Sequence, residues 1–159
     1  RRTYAQLNKK VAEVYSPPRM AAAAARNGLE PSFSLDLSVE DPEDGQPWDL
    51  SKKDKQNKAR RMLREEEPAV LIACPMCGPF SSWMSVNYSK ATESEIKLKL
   101  ADAMRHLSFA IQLCEEQARA GRLFLFEHPV GASSWSTQMV LRLSRMAGVE
   151  KVIFDFCAF

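Results

Sequence analysis

Residues 69–81 read AVLIACPMCGPFS, and this stretch decides the fold. The apolar run at residues 69–73 is typical of a central parallel strand that is buried on both faces. A loop rich in proline and glycine, with two cysteines, follows it at once. Residues 123–126 (LFLF) repeat the pattern and precede a polar segment, residues 127–129 (EHP). The sequence therefore predicts two buried parallel strands, each with reactive side chains at its carboxyl end.

Strand and helix patterns alternate along the whole chain. The alternation predicts an α/β fold with a doubly wound, mostly parallel sheet. We expect one domain over residues 1–159, cut from a longer polypeptide and incomplete at its C-terminus, because the first residue is not methionine and the last strand is cut short. Further strands are predicted at residues 12–15, 32–37 and 151–156, and helices at residues 20–27, 51–66, 92–120 and 135–147.

Composition narrows the class of protein. The chain is 45% hydrophobic and 26% charged, which is typical of a globular domain, and its net charge of +2 indicates no particular partner. No apolar run is long enough to span a bilayer, so we expect no membrane partner. The spacing of the four cysteines is unlike a secreted disulfide framework, which predicts a reduced, intracellular setting.

Charge is segregated locally around the second predicted helix, residues 51–66. Residues 38–50 form an acidic loop, and residues 51–64 hold seven basic side chains against one acid. A basic stretch of this kind is either a solvated helix face or a surface that meets phosphates, and the sequence leaves both interpretations open.

Three residues at strand ends are candidates for chemistry, because ligands of such sheets bind beyond the carboxyl ends of the strands. Cys77 lies in a loop with exposed backbone N–H groups, which favours a thiolate nucleophile. Glu127 follows a buried strand, where burial raises a carboxyl pKa and suits proton transfer. Asp36 ends a strand where ribose hydroxyls are often bound. We expect no metal site, since His128 has no histidine partner at ligand spacing and one CxxC stands alone.

Taken together, these residues resemble the carbon-5 cytosine DNA methyltransferases, whose fold is the Rossmann-like, class I methyltransferase sheet. Tyr15 matches the family's aromatic residue after strand one, and Asp36 matches its ribose-binding acid. Asp49-Leu50 fits the pair that meets adenine, residues 77–81 (CGPFS) fit Cys-x-x-Phe-Ser, and Glu127 fits the glutamate of Glu-Asn-Val. The likeness extends over residues 11–130. The chain also looks like the methyltransferase-like segments of retroelement polyproteins.

The chain departs from the family in three places. The glycine-rich turn is replaced by residues 16–19 (SPPR), and prolines remove N–H donors. Met76 stands where the family has proline, with Pro75 one position earlier. His128-Pro129 replaces Asn-Val. The resemblance implies an S-adenosylmethionine site made by Tyr15, Ser16, Asp36, Asp49, Leu50 and Pro75.

The resemblance also implies a mechanism and a partner. Nucleic acid, DNA rather than RNA, would present a flipped cytosine. Cys77 would add to carbon 6, and Glu127 would hydrogen-bond ring N3.

Two alternatives remain open at this point. Cys74 and Cys77 form the CxxC of a thiol–disulfide oxidoreductase, although two βα units precede it. The domain is otherwise a non-catalytic module of a polyprotein that binds nucleic acid or a partner.

Overall fold

The computed structural model describes residues 8–81 and 91–155 of the chain. Its centre is a four-stranded, all-parallel sheet in the order β2-β1-β3-β4, with helices between the strands, so the predicted α/β, Rossmann-like class is confirmed. The strands are β1 (Lys10–Val14), β2 (Glu30–Leu35), β3 (Val70–Ala73) and β4 (Leu123–Phe126). The helices are α1 (Arg19–Arg26), α2 (Lys53–Glu66), α3 (Glu93–Arg119) and α4 (Gln138–Ser144).

Parallel register brings the carboxyl ends of the strands to one edge of the sheet. Val14 lies opposite Leu35 on one side and Ala73 on the other, and Ala73 lies opposite Phe126. The four segments that leave these strands therefore begin side by side. This edge carries the residues that the sequence singled out.

One face of the sheet is covered by α2, α3 and α4, and the main core lies beneath them. Ala12 and Leu71 point into this core with Leu63 of α2, Leu107 of α3 and Val140 of α4, and each is at most 3% exposed. We call this side the covered face. Burying a leucine side chain contributes roughly 1.5–3 kcal/mol, so this layer holds most of the apolar stabilisation.

The opposite face carries α1 over β1 and β2, and we call it the open face. Its buried cluster is small and consists of Val11, Ala24 and Ile72. Leu123 and Leu125 of β4 are 39% and 45% exposed there. The expectation that residues 123–126 are buried on both faces is wrong, because in the described residues no helix packs over this part of the open face.

Two further predictions need correction. Residues 151–155 belong to no strand of the described structure and are exposed, and the last strand of its sheet along the chain is β4. Residue 156 lies outside the described residues. The predicted helix at residues 135–147 is a 3₁₀ turn, Ser133–Ser136, followed by the shorter α4.

Local signals fixed the ends of the other elements. The capping box of Thr92 and Glu95 is present at the start of α3. Gly28 has φ +73°, as expected of a glycine that follows a helix end. The buried side of α3 begins at Ala103, whereas Leu100 is 41% exposed because the first turns of the helix extend beyond the core.

Candidate functional site

A cavity of about 440 Å³ opens at the carboxyl edge of the sheet, and we call it the site cavity. Its volume lies in the range of ligand pockets, roughly 300–1,000 Å³. Four of the six residues expected to bind the cofactor line it: Tyr15, Asp36, Asp49 and Leu50. The other lining residues are Leu37, Trp48, Ser51, Cys74, Met76, Asp102 and His106.

Two identical Asp-Leu-Ser turns form one wall of the site cavity. In the first, Oδ1 of Asp36 accepts hydrogen bonds from the N–H of Ser38 at 2.9 Å and its hydroxyl at 2.6 Å. In the second, Oδ1 of Asp49 accepts the same pair from Ser51 at 3.0 and 2.6 Å. The hydroxyl of Ser51 lowers the pKa of Asp49 against partial burial. Each carboxylate is oriented by one oxygen, which leaves Oδ2 to accept hydrogen bonds from a ligand.

Tyr15 and α3 form the opposite wall. Tyr15 adopts φ +60°, and its hydroxyl oxygen lies 3.2 Å from Nδ1 of His106, with the two rings edge to face. Burial and the charges of Asp102 and Asp49 raise the pKa of Tyr15, so the phenol stays protonated. Sequence reasoning missed His106 and Asp102, although their spacing of four residues on a helix places them on one face.

The segment after β1 is organised around Glu13, which sequence reasoning also missed. Its buried carboxylate accepts a hydrogen bond from the N–H of Ala21 at 2.6 Å and one from the hydroxyl of Ser16 at 2.9 Å. Glu13 thereby caps α1 from inside the sheet. Ser16, predicted to contact the cofactor, does not line the site cavity in this structure and instead supports Glu13.

The two cysteines of the loop after β3 have different surroundings. Burial, with the nearby charges of Glu127 and Glu13, raises the pKa of Cys74 to about 11, so this thiol stays protonated at neutral pH. Cys77 is half-buried and begins the short 3₁₀ turn Gly78–Phe80. It follows Met76, which lines the site cavity. Cys77 itself does not line the cavity, whereas Cys74 does.

His128 joins the two loops that carry the predicted catalytic residues. Its Nε2 lies 3.0 Å from the carbonyl oxygen of Pro75, and its Nδ1 lies 2.7 Å from the hydroxyl of Ser134. A carbonyl only accepts, so Nε2 carries the proton and Nδ1 accepts from Ser134. Burial lowers the pKa of His128, against the opposing effect of the Pro75 carbonyl, which favours this neutral form. Phe80 and Phe126 pack beside the ring.

Pro75, predicted to contact the cofactor, is buried and does not line the site cavity. Its carbonyl oxygen accepts the hydrogen bond from His128. His128 is a clamp between loops, and within the described residues no group of three or more potential ligands is arranged to hold a metal ion.

Glu127 leaves β4 beside this clamp. Its N–H donates to the carbonyl of Ala73 at 3.1 Å, which extends the sheet by one bond, and its side chain is half-buried. Burial raises the pKa of Glu127. The guanidinium of Arg122, the base that precedes β4, donates to Gln117 and Glu67. The raised pKa favours a carboxyl group that can donate a proton.

The acidic loop is locked to α2 by ion pairs. Asp41 is 1% exposed, and its carboxylate lies 2.7 Å from Nζ of Lys55 and 2.5 Å from Nζ of Lys58. Both ammonium groups also lie over the ring of Trp48, at 5.0 and 5.2 Å from its centroid. This lock holds the segment that continues into Asp49 and the wall of the site cavity.

The basic side chains of α2 fall into two groups with different surroundings. Lys55 and Lys58 neutralise the acidic loop, whereas Arg60, Arg61 and Arg64 line a concavity of about 430 Å³ on the outside of α2. Arg60 is hydrogen-bonded to Gln112, and Arg64 is paired with Glu116.

The nucleoside half of S-adenosylmethionine fits these residues. Asp36 and Asp49 each offer an oriented acceptor for hydroxyl or amino groups, and Trp48 and Leu50 supply apolar wall. The carboxylate of S-adenosylmethionine has no corresponding donor, since the N–H of Ala21 in the turn after β1 already donates to the carboxylate of Glu13.

In comparisons with known proteins, no family model, no curated protein and no solved structure matches the chain. Among the helices that the structure describes, none combines the length and the apolar character that crossing a membrane requires.

Proposed function

We propose that this chain is a cytosine-5 DNA methyltransferase-like domain that binds S-adenosylmethionine in the site cavity and uses Cys77 as its nucleophile. The observation that carries the proposal is the lining of that cavity. Tyr15, Asp36 and the Asp49-Leu50 pair lie in three separate segments of the sequence, match the cofactor residues that the resemblance implies, and surround one space of about 440 Å³.

The chain's own residues have separate tasks in this reaction. The thiolate of Cys77 adds to carbon 6 of a flipped cytosine, which makes carbon 5 nucleophilic. The protonated carboxyl of Glu127 donates to ring N3 and stabilises the charge that develops there. S-adenosylmethionine, when bound, supplies the methyl group that carbon 5 accepts. Solvent water then takes the proton from carbon 5, the double bond between carbons 5 and 6 re-forms, and the sulfur–carbon bond breaks to return the thiolate.

His128 acts in this scheme as a positioning residue. It connects the loop of Cys77, through the carbonyl of Pro75, to the loop of Glu127, and it is itself held by Ser134. The reaction requires a fixed distance between Cys77 and Glu127, because both must contact the same cytosine ring.

Nucleic acid is the proposed partner, with DNA favoured over RNA, in an intracellular polyprotein of the retroelement type. Support for a phosphate contact comes from Arg60, Arg61 and Arg64, which line one concavity on α2. Arginine side chains that share a concave surface suit phosphate groups. Support for a reducing setting comes from the free thiols of Cys74, Cys77 and Cys114.

The binding step is tested by calorimetric titration with S-adenosylhomocysteine. Asp49→Asn removes a charged acceptor from the cavity wall and is expected to weaken binding by about tenfold, since a hydrogen bond to a charged group contributes roughly 1.5–3 kcal/mol. Asp54→Asn is the matched control, because Asp54 is an exposed acid of α2 outside the cavity. Equal loss in both variants would contradict the proposed cofactor site.

The chemical step is tested by trapping. In a DNA oligonucleotide with 5-fluorocytosine, fluorine replaces the hydrogen on carbon 5. No proton can leave after methyl transfer, so a nucleophile at carbon 6 stays attached. We expect an adduct, seen by mass spectrometry, that Cys77→Ser abolishes and Cys74→Ser retains. An adduct that depends on Cys74 would contradict the assignment of Cys77.

A second candidate is a non-catalytic domain that binds nucleic acid or a partner. The observation that favours it is the turn after β1, where Glu13 and two prolines replace a ligand-binding glycine turn. Nucleic-acid binding without any trapped adduct would select this candidate. The oxidoreductase alternative is disfavoured by the protonated thiol of Cys74, since the attacking thiol of a redox CxxC has a lowered pKa.

A further inference from the structure

The turn between β1 and α1 has few N–H groups left to offer a ligand. Pro17 and Pro18 carry none. The N–H of Arg19 donates to the carbonyl of Pro17 at 2.6 Å, and the N–H of Ala21 donates to Glu13 at 2.6 Å. In nucleotide-binding sheets, the corresponding N–H groups and the positive end of the helix bind an anionic part of the ligand. In this turn, the N–H groups of Arg19 and Ala21 are already bonded within the chain.

Glu13 also supplies an anion of its own at this helix end. Its carboxylate is 0% exposed and accepts hydrogen bonds from Ala21 and Ser16. This carboxylate lies close to the site cavity, because Tyr15, two residues further along the chain, lines that cavity. A ligand carboxylate brought to this place would meet a like charge in a poorly solvated setting.

The walls of the site cavity are also negatively charged. Asp36, Asp49 and Asp102 line it, and its described lining contains no lysine or arginine. Lys52 approaches Oδ2 of Asp49 at 3.9 Å, but its side chain is 57% exposed and screened by water. The cavity therefore disfavours anions and favours neutral or cationic groups.

We infer that the site cavity selects adenine nucleosides whose 5′ substituent is neutral or cationic over those whose substituent carries a carboxylate. The inference rests on the proposed function, because it concerns the ligand of the same cavity. It means that the nucleoside half and the sulfonium supply the affinity for S-adenosylmethionine, and that its carboxylate weakens binding.

The test is calorimetric titration of the full chain with three ligands at one ionic strength: decarboxylated S-adenosylmethionine, S-adenosylmethionine and 5′-methylthioadenosine. The first two differ only by the carboxylate. We expect the decarboxylated form to bind about tenfold more tightly, a value between the roughly fivefold effect of two like charges 4 Å apart in bulk water and the larger effect near a protein surface. We expect 5′-methylthioadenosine to bind at least as tightly as S-adenosylmethionine.

Two variants report on the cause of this preference. Glu13→Gln keeps an acceptor for the N–H of Ala21 and removes the charge, so the affinity ratio of the first two ligands is expected to fall about threefold or more. Pro18→Ala returns an N–H group at an exposed position and is expected to lower the same ratio. It provides the same readout if Glu13→Gln does not fold.

The outcomes separate this inference from the proposed function. Binding of S-adenosylmethionine as tightly as its decarboxylated form overturns the inference and leaves the proposed cofactor site standing. A ratio that both variants leave unchanged also overturns it. Absence of binding by all three ligands removes the proposed cofactor site, and the inference falls with it.

Discussion

The two faces of the sheet are made from similar residues and differ in what covers them. On the covered face, Leu71 of β3 is 0% exposed beneath three helices. On the open face, Leu125 of β4 is 45% exposed, because α1 packs over β1, β2 and Ile72 of β3, and no helix of the described residues packs over β4 there. Both leucines belong to short apolar runs that look equally buried in the sequence. The difference shows that an apolar run indicates a strand but does not tell how many of its faces are covered.

The covered face also includes the ion-paired lock of the acidic loop, and breaking it has the largest expected effect. Asp41→Asn leaves Lys55 and Lys58 with only the more exposed carboxylates of Asp44 and Glu43, and we expect the free energy of unfolding to fall by about 3–4 kcal/mol, the lower part of the range for a broken buried ion pair. Urea denaturation measures the change. Asp54→Asn, on an exposed turn of α2, is the control and is expected to stay within about 0.5 kcal/mol of the parent.

The same lock predicts a pH dependence. Burial opposes ionisation of Asp41, but hydrogen bonds from Lys55 and Lys58 outweigh it and lower the pKa of Asp41 from 3.8 to about 2. A carboxylate with a lowered pKa stabilises the fold above its unfolded pKa, and this stability is lost as pH falls through the folded value. The difference between parent and Asp41→Asn should therefore shrink between about pH 4 and pH 2. A constant difference across that window would contradict the ion-paired lock.

Leu71→Ala tests the covered face through its apolar core. Removing a leucine side chain that is 0% exposed leaves a cavity, and we expect a loss of about 3 kcal/mol in the free energy of unfolding. Urea denaturation with an unchanged slope would support this. A loss below about 1 kcal/mol would mean that the layer of α2, α3 and α4 is loosely packed.

Ser134→Ala tests the clamp at the edge between the two faces. Ser134 is 0% exposed, and the change leaves Nδ1 of His128 without its donor, so we expect a loss of about 1–2 kcal/mol. We also expect faster alkylation of Cys77 by iodoacetamide, because the loop of Pro75 is released. Ser136→Ala, at an exposed position of the same 3₁₀ turn, should change neither quantity.

Leu125→Ala on the open face is expected to have the smallest effect, within about 0.5 kcal/mol, because its side chain already meets water. The matched comparison is Leu71→Ala, which removes the same atoms. A loss of about 2 kcal/mol or more, or a loss that depends on protein concentration, would show that a second copy or another segment covers this face in solution.

Much of the fold follows from local sequence signals. The strands and the main helices lie within two or three residues of their predicted bounds, because apolar runs, a capping box and helix-ending glycines act over a few positions. The predicted strand at residues 151–156 failed for the opposite reason. A strand forms only beside another strand that it can hydrogen-bond with. The apolar side chains of Val152 and Ile153 do not indicate whether such a strand is present.

The part of the candidate site that directly follows the strands was also predictable from the sequence. Tyr15, Asp36 and Glu127 follow strands directly, and parallel strands bring their carboxyl ends together. His106 and Asp102 were missed because α3 reaches the cavity only by packing across the sheet. Glu13 was missed because its burial depends on α1 turning back over β1.

The sequence by itself determined the alternation of strands and helices, the parallel sheet and the strand ends at which polar residues gather. Period, capping and turn residues are local properties, so they can be read from neighbouring letters. Only the tertiary structure decided that one face is covered and the other open, that Lys55 and Lys58 serve the acidic loop, and that His128 is a clamp. Those outcomes depend on contacts between distant positions, such as His128 with Pro75 across 53 residues of chain, and such contacts are set by packing.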